Sequence, residues 1–120
     1  VHCVVSSLGA AFTDAVQWPG DVTAVSKATQ RDREAYSALV GTALREYLLA
    51  RGVRRLFVAG LATDFCVRAT AADAIALGLD VVVLRDAVAA VDVQPGDGDR
   101  ALAEIRQRGG LVVESGALVP

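Results

Sequence analysis

Two residues of this 120-residue chain carry the side chains of a nucleophile and its activator, Cys66 and Lys27. Cys66 follows the unbroken apolar run 56–59 and a short turn, and falls in the opening turn of a helix that Thr63 or Asp64 is placed to cap. Unpaired backbone N–H groups and the positive end of the helix dipole favour a thiolate at such a place, and a strand–turn–helix junction is one common setting for an activated thiol. The plainer alternative is a small buried hydrophobe, which is what most free cysteines are. Lys27 is the one lysine beside eleven arginines, and it too directly follows an apolar run, residues 22–26. Arginine keeps its proton at any workable pH whereas lysine responds to its neighbours, so the composition hints that this position needs an ammonium. A leftover lysine on a solvated loop is the competing reading.

The stretch GLATDFC, residues 60–66, packs a turn, a cap and a thiol into a few residues. Its functional reading is an oxyanion hole of backbone N–H groups; an ordinary capped helix entry is the alternative. His2 is the lone histidine, and one histidine cannot close a metal site that takes three or four ligands. Asp86, at the end of a later strand, is read as a turn-capping residue rather than a chemical one.

The elements that must position these residues alternate. Residues 22–26 read as a first strand. Leu39, Ala43, Leu44, Leu48 and Leu49 mark a helix from Ser37, its N-cap, to a stop at Gly52. The run 56–59 reads as a strand buried on both faces, followed by an Ala-rich helix to about Leu77. Residues 81–84, 95–108 and 111–113 supply a second such strand, a third helix and a last short strand. Four strands alternating with three helices imply a doubly wound, three-layer α/β domain with a parallel sheet, occupying residues 1–120 as a single unit. In such sheets sites form beyond the carboxyl ends of the strands, where Lys27, Cys66 and Asp86 fall.

A net charge of −2, with no basic run longer than Arg54 and Arg55, leaves no footprint for nucleic acid. No apolar stretch reaches the roughly 18 residues of a membrane span, and the N-terminus has no signal pattern; the expectation is a cytoplasmic protein. Cys3 and Cys66 could form at most one disulfide, which would be unusual in that compartment. The chain has no Met and opens on Val1 inside what reads as a loop leading into a fold, so its start looks cut or misassigned, with removal of an initiator Met before Val1 as the plainer alternative.

Three blocks resemble the nicotinamidase and isochorismatase-like hydrolases: HCVVSSLGAAF at 2–12, VSKATQRDREAYSAL at 25–39 and GLATDFCVRATAADAIALGLDVVVLRDA at 60–87. They come in that family's order and spacing. The resemblance implies that Cys66 attacks an amide carbonyl and releases ammonia through a thioester, with Lys27 as the lysine of the catalytic triad. It implies a cis peptide between Leu61 and Ala62, with the N–H groups of Ala62 and Cys66 as the oxyanion hole. His2 would match a ligand of the family's divalent metal (Zn, Fe or Mn), whose other ligands precede the first block. The chain would correspond to the C-terminal two-thirds of the family's domain, without its first strands and without the Asp that accepts the thiol proton. Inactivity of the isolated chain, and no metal held by it alone, follow from that expectation. The implied partner is a small amide, nicotinamide first, and the family's habit of assembly leaves room for a homo-oligomer. A carbamoyl or ureido substrate, or a non-catalytic assembly domain, are the alternatives.

Overall fold

A computed structural model describes residues 2–118 of the chain. Its regular elements are α1 (Leu44–Ala50), β1 (Arg55–Leu61), a π-helical turn (Thr63–Val67), α2 (Arg68–Ala76), β2 (Asp80–Ala89), α3 (Asp97–Gln107) and β3 (Leu111–Val113). Short 3₁₀ turns occupy Leu8–Ala10 and Ser115–Leu118. The three strands form one parallel sheet in the order β1-β2-β3. The class is therefore α/β, as the alternation of apolar runs and helical periods implies.

The core lies where α2 and α3 cover one face of this sheet. Val81 and Val83 of β2 meet Val67, Ala71 and Ala74 from the turn and α2, and Leu102 and Ile105 from α3. Ile105 and Val83 are wholly buried, and each such side chain contributes roughly 1.5–3 kcal/mol through the apolar surface it removes from water. Val82, pointing to the opposite face, is buried as well, so β2 reads as a continuous apolar run because both of its sides are covered.

β1 departs from expectation here. Leu56 and Val58 pack on the core, but Phe57 is 49% exposed and Leu61 75% exposed. Phe57, Val82 and Leu111 form one row across the sheet through the pairs Phe57↔Val82 and Val82↔Leu111. Only the middle member of that row is shielded, since β1 pairs with β2 alone among the described residues and leaves its other edge free.

Three further expectations are corrected. Residues 22–26 form no strand; they run as exposed, irregular chain, because no strand among the described residues completes a ladder with them. The helix expected from Ser37 begins only at Leu44. Gly41 takes a positive φ of 66°, which breaks the helical path, and the hydroxyl of Thr42 donates to the Ala38 carbonyl and accepts from the Leu44 N–H at 3.2 Å. Ser37 is buried and caps no helix: its Oγ accepts from the Leu39 N–H at 3.2 Å, a local turn of the kind serine favours. The third helix starts at Asp97, two residues later than read, behind a left-handed Gly96 with φ 87°. No helix among the described residues is long and apolar enough to cross a membrane.

Candidate active site

The carboxyl end of β1 delivers the site. After Leu61 the chain turns through a cis peptide between Leu61 and Ala62 and enters the π-helical turn, closed by Val67 N–H donating to the Ala62 carbonyl at 3.0 Å. Cys66 sits in this turn, partly buried, between the buried Asp64 and Val67. The N-cap positions are Ala62 for the π-helical turn and Val67 for α2, neither with a side-chain cap, rather than Thr63 or Asp64; the carboxylate of Asp64 is taken up by the backbone beyond β2.

Lys27 reaches the thiol from the irregular N-terminal segment. Its Nζ donates to Cys66 Sγ at 3.1 Å and to the Ala35 carbonyl at 3.3 Å. The second bond folds the segment into a loop that returns along the turn holding Cys66. There Tyr36 lies against Phe65 with ring centroids 5.5 Å apart, and the Ala38 N–H donates to Thr70 Oγ1 at 3.0 Å. Three contacts, at Lys27, Tyr36 and Ala38, thus fasten this segment to the turn and to α2. The contact places an ammonium within hydrogen-bonding distance of the sulfur, a pairing of residue types suited to a cysteine nucleophile.

The surroundings add one aromatic and two carboxylates with defined states. Tyr36 donates from its hydroxyl to Glu34 Oε2 at 3.3 Å. The negative charge of Glu34, followed by burial and that hydrogen bond, holds the Tyr36 phenol above its ordinary value, with Cys66 adding in the same direction. Asp64 is buried, which pushes its carboxyl up, but the N–H groups of Val91 and Asp92 outweigh this and hold it below the usual carboxylate range. Asp86 turns to Ser115: the side-chain hydroxyl and then the backbone N–H of Ser115 hold its carboxyl low. Asp86 therefore secures the turn after β3.

His2 is exposed, with Nδ1 3.4 Å from Cys3 Sγ. No group of three or more His, Cys, Asp or Glu side chains placed to hold a metal exists among the described residues. Two adjacent donors fall short of the three or four that such an ion needs, so the residues at His2 do not fit a metal centre. A groove lined by Asp64, Phe65, Arg68, Asp97, Arg100 and Glu104 runs beside the turn without including Cys66 or Lys27. The residues that sequence reasoning passed over are Tyr36 and Phe65, whose pairing brings residues 36 and 65 together across the fold.

The isochorismatase domain model matches residues 2–117. The chain belongs to the isochorismatase family. Among solved structures of isochorismatase relatives, a pyrazinamidase of Pyrococcus horikoshii in complex with zinc superposes with a TM-score of 0.87 and 46% identity, over 95% of this chain and 62% of that one. PnC1 from L. infantum in complex with nicotinate has a TM-score of 0.65 and 39% identity over 70% of this chain and 44% of its own. The nicotinamidase of Acinetobacter baylyi is 36% identical over 98 residues, 77% of this chain and 46% of its own length. This isochorismatase-family chain spans about half the length of the curated relatives it matches, 46% and 54% of two nicotinamidases.

Proposed function

We propose that this chain carries the nucleophile half of a nicotinamidase-type amidase, with Cys66 as the attacking thiolate and Lys27 as the cation that stabilises it. The observation that supports this most is the 3.1 Å contact between Lys27 Nζ and Cys66 Sγ. The same pairing of thiol and lysine is what the resemblance of residues 25–39 and 60–87 to the nicotinamidases implies, and the substrate follows from those relatives: nicotinamide, a small aromatic amide.

In this reading Cys66 Sγ forms a bond to the amide carbon and the carbonyl electrons move onto oxygen, toward the N–H groups of Ala62 and Cys66 at the cis turn. The tetrahedral adduct collapses with cleavage of the C–N bond, the nitrogen taking up a proton and leaving as ammonia. Water then adds to the thioester, releasing nicotinate and returning the thiol. Each step moves one proton, and the resemblance assigns its carrier to an Asp that none of these residues matches; none of the hydrogen bonds to Cys66 among the described residues comes from a carboxylate. We read residues 1–120 as one isochorismatase-like domain and the protein as cytoplasmic, in keeping with its two free cysteines.

An activated ester separates nucleophile from proton carrier, because a phenolate leaves without being protonated. The p-nitrophenyl ester of nicotinic acid is expected to acylate Cys66 of the 120-residue chain, seen as a mass increase on the peptide holding Cys66, and to do so slowly or not at all in Lys27→Ala. Nicotinamide itself is expected to release no ammonia with this chain alone. Equal labelling of Cys3 and Cys66 in the parent would sink the reading.

A further inference from the structure

We propose that Asp64 is a positioning residue that sets the orientation of the turn holding Cys66 by clamping it to the loop beyond β2. This rests on the reading of Cys66 as the nucleophile. Asp64 lies two positions before Cys66 and is 6% exposed. Burying a carboxylate costs several kcal/mol unless its oxygens are satisfied, and here both are. Oδ1 accepts from the Val91 N–H at 3.0 Å and Oδ2 from the Asp92 N–H at 2.9 Å. Two consecutive N–H groups on two oxygens of one carboxylate leave the side chain a single orientation, and hydrogen bonds to an ionised acceptor are roughly twice as strong as neutral ones.

The loop that receives this clamp is itself anchored. Asp92 adopts a positive φ of 53°, and its Oδ1 accepts from the Gly98 N–H at 2.8 Å, in the first turn of α3. Gly98 packs so closely that a Cβ there would lie 2.6 Å from the Ala90 Cβ. The path therefore runs from Cys66 through Asp64 to residues 91 and 92, and through Asp92 to α3, whose Leu102 and Ile105 belong to the core. Lys27 contributes only one end of the thiol–ammonium contact; the direction of the sulfur is set by this second, independent anchorage. An ordinary capping role does not account for the arrangement, because the Val91 and Asp92 N–H groups that Asp64 binds lie outside its own helix.

The test compares the parent 120-residue chain with Asp64→Asn and Asp64→Glu. Iodoacetamide labelling, resolved by peptide mass spectrometry, gives the rate at Cys66 relative to the exposed Cys3, and amide hydrogen exchange follows Val91 and Asp92. Asn keeps the shape but replaces one acceptor oxygen with a donor. The expectation is exchange about tenfold faster at Val91 or Asp92, together with a Cys66 to Cys3 ratio reduced about tenfold. Glu keeps the charge and both oxygens but adds a methylene, so it should retain slow exchange at Val91 and Asp92 while the ratio still falls. A purely stabilising carboxylate would not separate the two readouts. The proposal is overturned if the ratio in Asp64→Glu equals that of the parent, or if exchange at Val91 and Asp92 is unchanged in Asp64→Asn. Should Asp64→Asn not fold, as judged by circular dichroism, the Glu variant alone decides. A parent in which Cys66 labels no faster than Cys3, whether or not Lys27 is present, would instead refute the assignment of Cys66 as nucleophile.

Discussion

Lys27 Nζ donates to Cys66 Sγ at 3.1 Å across 39 positions of sequence, and the same ammonium holds the Ala35 carbonyl at 3.3 Å. One side chain thus faces the Cys66 thiol and also closes the loop that carries it there. Removing it should have two effects, one electrostatic and one geometric.

Lys27→Ala is expected to slow iodoacetamide alkylation of Cys66 at neutral pH by about tenfold or more, since a thiolate beside a cation is the reactive species. Lys27→Arg should recover little of the loss: a planar guanidinium does not take the place of a compact ammonium held between sulfur and a carbonyl. Peptide-resolved labelling kinetics check this, and an undiminished rate in Lys27→Ala would remove the lysine from the mechanism.

Tyr36 should ionise above the ordinary tyrosine value because the phenolate would form beside the Glu34 carboxylate. Glu34→Gln is expected to bring that titration back down. Ultraviolet titration in a Tyr47→Phe background isolates the Tyr36 signal, and a titration unmoved by Glu34→Gln would show that the Tyr36–Glu34 contact has no hold on the phenol.

The carboxyls of Asp64, Asp86 and Asp97 are all held low in the folded chain, Asp97 chiefly by the Gln94 N–H and then by the Arg100 side chain. A depressed folded value means that the unfolded chain binds these protons more readily. Their stabilising contribution is complete above the unfolded carboxylate value of about 3.9 and is lost as pH falls below it, through the folded values. Unfolding midpoints followed by circular dichroism should therefore drop on acidification through that window. Asp86→Asn should shed part of the dependence, and an identical acid profile in that variant would contradict the role assigned to Ser115.

Ile105 is wholly buried at the centre of the α2–α3 core. Ile105→Ala should cost about 2–5 kcal/mol and Ile105→Val about 0.5–1.5 kcal/mol. Gly110→Ala should destabilise by roughly 1–3 kcal/mol, because its Cβ would stand 2.6 Å from Ile105 Cγ2 and 3.1 Å from the Ile105 carbonyl oxygen. Denaturant melts give all three values, and a Gly110→Ala chain as stable as the parent would mean that the Ile105 region yields more easily than its packing implies.

What the sequence conveyed well was whatever depends on local pattern and burial together. The runs at 56–59, 81–84 and 111–113 all became strands of one parallel sheet, and the Ala-rich and Asp97-led helices formed near their expected places. Residues 22–26 have the same apolar pattern, yet a strand is a pairing and not a property of one segment, and nothing beside them completes the ladder. Ser37 has the right chemistry for a cap, but Gly41 with its positive φ delays the helix to Leu44. At the site, Cys66 and Lys27 stood out by type and by position after apolar runs, whereas their contact depends on the fold. The use of Asp64 was hidden for a different reason: a carboxylate two residues before a helical thiol reads as a cap, and only the tertiary structure shows that its partners are Val91 and Asp92, 27 and 28 positions away.

The pairing of β1 with β2 is broken once, between Val58 and Gly60: Val58 faces Val83, yet Gly60 faces Val88. Residues 84–87 therefore have no opposite number on β1, although Leu84 still pairs with Val113 on the other side. Beyond this gap, Gly60 and Leu61 run beside Val88 and Ala89 as a two-strand ribbon, from whose tip the thiol's turn and the loop at 91–92 emerge next to each other. Chain length is consequently negotiable on one side of the ribbon and not on the other. A residue inserted among 85–87 disturbs no β1 pairing and meets only the Asp86–Ser115 contact, while one inserted among 60–66 would shift the thiol relative to Lys27, so tolerance to insertion should be as lopsided as the ladder itself.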